Sequence, residues 1–122
     1  MATRSNIGKL NSDNTVSYIY CHWDGYPSHN GAILQEHYNT PEQVDALLAL
    51  GDMSSLGDAH DECKPYNYDG AGVVSIVLEE YNSSPMISYF YLFTDEGWKV
   101  SAYGNEWMML EDTLQELQKH LQ

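Results

Sequence analysis

The sequence predicts an α+β fold: an antiparallel sheet of about five strands with two or three helices packed mainly on one face. Three observations lead there. Five short segments show strand-like alternation or are apolar on both faces, each bounded by turn formers. Other segments carry apolar residues at helical spacing, the clearest of them capped at both ends. The 122 residues contain no internal repeat, low-complexity tract or linker, so 1–122 reads as a single domain.

Taken in order, "TRSNIGKL" and "NTVSYIYCHW" flank the turn-former cluster "NSDN" and predict a hairpin with strands over 2–10 and 15–23. In the second strand Ile19, Cys21 and Trp23 share one face, and Tyr18, Tyr20 and His22 share the other. Neither face is purely polar, so the strand is expected to be covered on both sides or to line a pocket. "DGYPSHN" breaks it, and "GAILQEHYN" predicts a short helix with Ile33, Leu34, His37 and Tyr38 in step. "TPEQVDALLALG" is the clearest helix. Thr40 is its N-cap, Pro41 opens its first turn, Gly51 stops it, and Val44, Leu47, Leu48 and Leu50 form its apolar stripe. "DMSSLGDAHDECKPYNYDGAG" reads as a long irregular connection. "VVSIVLEE", "MISYFYLF" and "GWKVSAYG" read as three strands, the last two joined by "TDEG". Both faces of "MISYFYLF" are apolar or aromatic, which predicts a central strand. "MLEDTLQELQKHL" closes the chain as an amphipathic helix carrying Leu110, Leu114, Leu117 and Leu121.

Charge is the strongest global signal. Eighteen acids against five bases give a net charge of −13, and nine of the acids fall between Lys9 and Lys64, where no base occurs. Such a field repels nucleic acid and anionic membranes and attracts basic surfaces. No apolar run approaches the roughly 20 residues that span a bilayer. "MATRSNIGKL" lacks the apolar core of a signal peptide, so the expected location is cytoplasmic. Two cysteines, Cys21 and Cys63, are too few for a disulfide framework and are expected to be reduced.

Several chemistries lack their pattern. "HDEC" supplies one His-x-x-Cys step, but the second tight pair of a structural zinc site is missing, so no metal or other cofactor is expected. Cys21 and His22 are strand neighbours whose side chains diverge, which rules out a dyad. No nucleophile elbow, P-loop or dinucleotide fingerprint is present. Acid–base work by His22 with Asp24, two residues apart on a strand, is weighed against a structural hydrogen bond between them.

Binding chemistry is better represented. Arg4, the only arginine, offers a rigid fork for phosphate or carboxylate, against the alternative of a salt bridge to one of many acids. The hairpin brings it to the sheet end that carries His22. Arg4, Ser5, Asn6, His22, Trp23, Asp24 and Tyr26 are thus the candidate ligand-binding residues, gathered beside the start of the first helix. Donors together with an aromatic platform suit a flat, polar ligand such as a nucleotide.

"ATRSNIG", "YIYCHWDGYPSHNG" and "ILQEHYNTPEQVDALLALGDMSSLG", in that order, resemble a family of small acidic phage and prophage proteins. The resemblance covers about the first half of the chain and rests on Thr3, Arg4, Ser5, Tyr20, Cys21, His22, Trp23, Asp24, Gly25, Tyr26, Pro27 and Gly31. It implies an accessory phage function, countering host defence among them, and no particular mechanism. The expectation is a binder, not an enzyme, that sequesters a small nucleotide-derived signal. The alternative is an acidic inhibitor or nucleic-acid mimic that blocks a basic host protein. A third class is a hydrolase acting on the same signal. Homo-oligomerisation is expected if the ligand is large.

Overall fold

The computed structural model describes residues 2–66 and 73–120. The hairpin forms as β1 (Ser5–Leu10) and β2 (Thr15–Cys21), antiparallel, with Ser5 opposite Cys21 and Asn6 opposite Tyr20. Its turn closes through Asn14, whose left-handed backbone (φ 67°) suits asparagine, and through the Asn11 amide, which donates to Thr15 Oγ1 and Ser17 Oγ. The chain then makes a π-helical turn over Pro27–Gly31 that runs into α1 (Ala32–His37), followed by α2 (Pro41–Leu48). Thr40 caps α2 by accepting the Gln43 N–H at 3.2 Å, and the Gln43 side chain accepts the Asn39 N–H in return. Gly51 leaves α2 with φ 79°.

Short strands β3 (Met53–Ser55) and β4 (Lys64–Pro65) follow, then β5 (Val74–Val77) and a single helical turn, α3 (Leu78–Tyr81). The hairpin β6 (Tyr89–Thr94) and β7 (Gly97–Ala102) leads to β8 (Met108–Met109) and α4 (Leu110–His120). The sheet runs β4-β3-β2-β1-β6-β7-β8, and β5 pairs with the first half of β2 on the edge that β3 occupies further along.

The α+β class stands, with two corrections to the sheet. It has eight strands, not about five, and it is not purely antiparallel, because β1 pairs with β6, and β2 with β3, in parallel. Two of the extra strands lie inside the stretch read as a long connection, and the third precedes α4. Strands of two or three residues are too short to carry a periodic pattern. The parallel pairs follow from crossover connections, which bring a distant segment alongside in the same direction. The segment read as one strand, "VVSIVLEE", also divides: its last residues turn into α3.

Both faces of the sheet are covered. Ile7, Ile19, Cys21, Tyr91, Phe93 and Val100 pack under α1, α2 and α4, against Leu34, Val44, Leu47 and Leu110. On the other face Val16, Phe90 and Leu92 pack against Tyr81 from α3, with Tyr18, Ile76 and Trp107 around them. β6 lies between β1 and β7 and contributes to both clusters, as its two apolar faces predict. Gly8 permits the second cluster to close. A Cβ there would lie 2.6 Å from Val16 Cγ1 and 2.9 Å from the Tyr81 hydroxyl, which donates to the Tyr91 carbonyl at 2.7 Å. No helix among the described residues is long and apolar enough to cross a membrane.

Candidate functional site

The candidate residues all cluster where β1 begins and β2 ends, but the sheet separates them. Side chains alternate along both strands, so Arg4, Asn6, Tyr20 and His22 fall on the face of Tyr18, and Ser5 falls on the face of Ile7 and Cys21. On the first of these faces three side chains form a chain. The Arg4 guanidinium lies beside the Tyr20 phenol, and the phenol lies 2.6 Å from His22 Nδ1. The phenol donates to Nδ1 in one ring tautomer of His22 and accepts from it in the other. Burial raises the Tyr20 phenol above the ordinary tyrosine value, and the Arg4 charge offsets part of that rise. Tyr20 thus stays a neutral hydrogen-bonding group.

Arg4 is half-buried and makes no ion pair among the described residues. Trp23 adjoins His22 edge-on, with ring centroids 4.7 Å apart, and is 46% exposed. Its backbone N–H donates to the Ser54 carbonyl and that of His22 to the Met53 carbonyl, which ties this end of the loop to β3. Asn6 is buried beside Tyr20.

The loop beyond Trp23 is organised by different residues. Asp24 takes a left-handed backbone (φ 58°), and Gly25 then enters a slot where a Cβ would lie 2.7 Å from the Thr3 carbonyl oxygen and 2.8 Å from Ser5 Cβ. Gly25 donates its N–H to Thr3, and its carbonyl accepts the Tyr91 hydroxyl at 2.6 Å. Beneath it lies Asn30, fully buried. Its amide donates to the Trp23 carbonyl (3.1 Å), Ser5 Oγ (3.3 Å) and Cys21 Sγ (3.4 Å), while its Oδ1 meets His29 Nδ1 (3.0 Å). Ser5 therefore serves the loop's foundation and is fully buried. Cys21 is free, and burial pushes its thiol up to about 11, so at neutral pH it is a packed thiol and not a nucleophile. Cys63 is also free and buried.

Asp24 and Tyr26 do not join Arg4. β2 ends at Cys21, so His22 and Asp24 share no strand face: the ring nitrogen of His22 meets Tyr20, and the Asp24 carboxylate accepts the Tyr26 hydroxyl at 3.3 Å. Tyr26 instead walls a cleft of about 500 Å³ on the α4 side, together with Tyr89, Val100, Met108 and Leu117. Among the described residues no group of three His, Cys, Asp or Glu side chains could hold a metal ion.

Sequence reasoning about the site passed over Tyr20 and Asn30. Tyr20 was visible as the residue two before His22 on the same face. Asn30 carried no signal, because the acceptors of its amide are 7 to 25 residues away in the chain. What the Arg4 face offers is a set of polar groups beside an aromatic plate: a guanidinium, an imidazole and an exposed indole. No family model matches this chain, and neither does any curated protein or solved structure.

Proposed function

We propose that the protein is a non-enzymatic binder that holds a small anionic, flat ligand, a nucleotide or nucleotide derivative, on the Arg4–Tyr20–His22–Trp23 face. In the phage-type context suggested by its motifs, the binder acts in the host cytoplasm and withdraws a nucleotide signal from a defence system. One observation carries this reading: the chain's only arginine lies beside a phenol and makes no ion pair with a carboxylate among the described residues, near an exposed tryptophan. An arginine meant only for structure would be neutralised by one of eighteen acids. Among the described residues no carboxylate neutralises Arg4, which supports a role toward a ligand. Stacking on Trp23 and charge-assisted hydrogen bonds from Arg4 act together, and at short range they overcome the repulsion of the net negative charge.

The test is calorimetry against cyclic nucleotides and ADP-ribose derivatives. A binder from this panel should lose about ten- to a hundredfold in affinity in Arg4→Ala, as expected for a hydrogen bond to a charged group, and the ligand should be recovered unaltered. Silence across the panel would sink the proposal, and recovery of cleaved ligand would replace it with hydrolysis.

A second reading has its own support. Glu36, Glu42, Asp45, Asp58, Asp61 and Glu62 are all exposed within the base-free span, and among the described residues only Asp45 is matched there by a lysine, Lys9. That surface fits a basic host protein. Salt-sensitive capture of such a protein, undiminished in Arg4→Ala, would favour inhibition over ligand binding.

A further inference from the structure

A cavity on the α4 side of the sheet has a different chemistry from the Arg4 face. It lies between the Tyr26–Ser28 turn, the Tyr89 end of β6, the far end of β7 and helix α4. Val100, Met108 and Leu117 supply its apolar lining, Tyr26 and Tyr89 its aromatic walls, and Glu106 the only charged side chain among its lining residues. We propose that this cleft is a second binding site, whose ligand is an organic cation with an apolar body, such as an alkyl- or arylammonium.

Size and charge support this occupant. A volume of about 500 Å³ lies inside the range of small-molecule sites. Tyrosine faces are electron-rich and attract an ammonium group, while the aliphatic lining takes the hydrocarbon. Glu106 is exposed at the rim and forms no ion pair among the described residues, so its charge is available to a cation. The Asp24 carboxylate accepts the hydroxyl of Tyr26, one of the lining residues, and adds a negative charge beside that wall. Tyr89 packs against the Tyr103 ring, centroids 5.4 Å apart, and its phenol is pushed up to about 12, mainly by burial, so that wall remains neutral. An anion would meet Glu106 with no lysine or arginine in the lining to offset it.

Both walls are built before any ligand arrives. Tyr26 follows the glycine locked against Thr3 and Tyr91. On the other side Gly104 turns with φ 79°, where a Cβ would lie 2.9 Å from the Asn82 carbonyl oxygen. The Asn105 carbonyl next to it accepts from both Asn82 Nδ2 and Ser101 Oγ. Glu106 therefore projects from a braced loop, which lowers the ordering cost of binding.

Hexylammonium, hexanol and hexanoate, titrated into the full chain and followed by amide chemical shifts, test the proposal. Hexylammonium should shift the amides of Tyr26, Tyr89 and Glu106, bind more tightly than hexanol, and hexanoate should not bind. Glu106→Gln should weaken hexylammonium by about three- to fivefold, to the level of hexanol, as for a partly exposed ion pair. Glu42→Gln makes the same change in net charge on α2 and should leave binding unaltered. Equal binding of ammonium and alcohol, shifts that map outside the cleft, no binding at all, or equal losses in the two variants would each overturn it.

Discussion

Replacing Asn30 with alanine tests whether one buried amide holds the loop that carries Trp23, Asp24 and Tyr26. The Asn30 side chain is fully buried and donates to three acceptors, the nearest being the Trp23 carbonyl at 3.1 Å. Alanine leaves that carbonyl with only the weak Cys21 thiol at 3.7 Å, strips the Ser5 hydroxyl of its amide, and opens a small void. A buried polar group left unmet costs about 1–3 kcal/mol, and a carboxamide-sized void adds to that. The expected loss is about 3 kcal/mol, or about 10–15 °C in Tm for a domain of this size. Urea unfolding followed by far-UV circular dichroism measures it, with Ser28→Ala, an exposed neighbour, as the silent control. If the loop is held as described, the tryptophan emission of folded Asn30→Ala should also change, through Trp23. A loss below about 0.5 kcal/mol would refute the reasoning.

Two further perturbations address the core. The Cys21 thiol stays protonated to about pH 11 in the folded chain but ionises near 9.0 when unfolded, so stability should fall by about 1.4 kcal/mol per pH unit between those values. Tyr81 and Tyr91, also raised by burial, act in the same direction. Urea midpoints at pH 8 and pH 10.5 should therefore converge in Cys21→Ala relative to wild type; an unchanged difference would remove Cys21 from the explanation. Gly8→Ala places a methyl 2.6 Å from Val16 Cγ1 and should cost about 2–3 kcal/mol by overpacking, read from the same midpoints. An unchanged midpoint would mean that Tyr81 does not sit against the sheet at Gly8.

Elements with a local cause were legible from residue order. The "NSDN" turn and the alternation around Ile19 and Cys21 specified the first hairpin, and Thr40, Pro41 and Gly51 specified α2. The apolar character of both faces of "YFYLF" specified a central strand. The candidate site was legible as a neighbourhood, since pairing Ser5 with Cys21 follows from the hairpin and carries Arg4 to His22. Its internal geometry was not. Alternation alone carries the strand through 23, but β2 stops at Cys21, and the Asp24–Gly25 turn that follows swings Tyr26 away from Arg4.

Local propensity and cross-strand alternation act over a few residues, so the sequence by itself determined the α+β class, the acidic character, the hairpin, the capped helix and the meeting of Arg4 with His22. Only the tertiary structure decided the parallel pairing of β1 with β6, the insertion of Asn30 beneath the loop, and the partition of "YCHWDGYPSHNG" between two faces. Those features depend on contacts between segments far apart in the chain. Their stabilisation appears only after the loops between them have closed, so no short stretch of residues carries their signature.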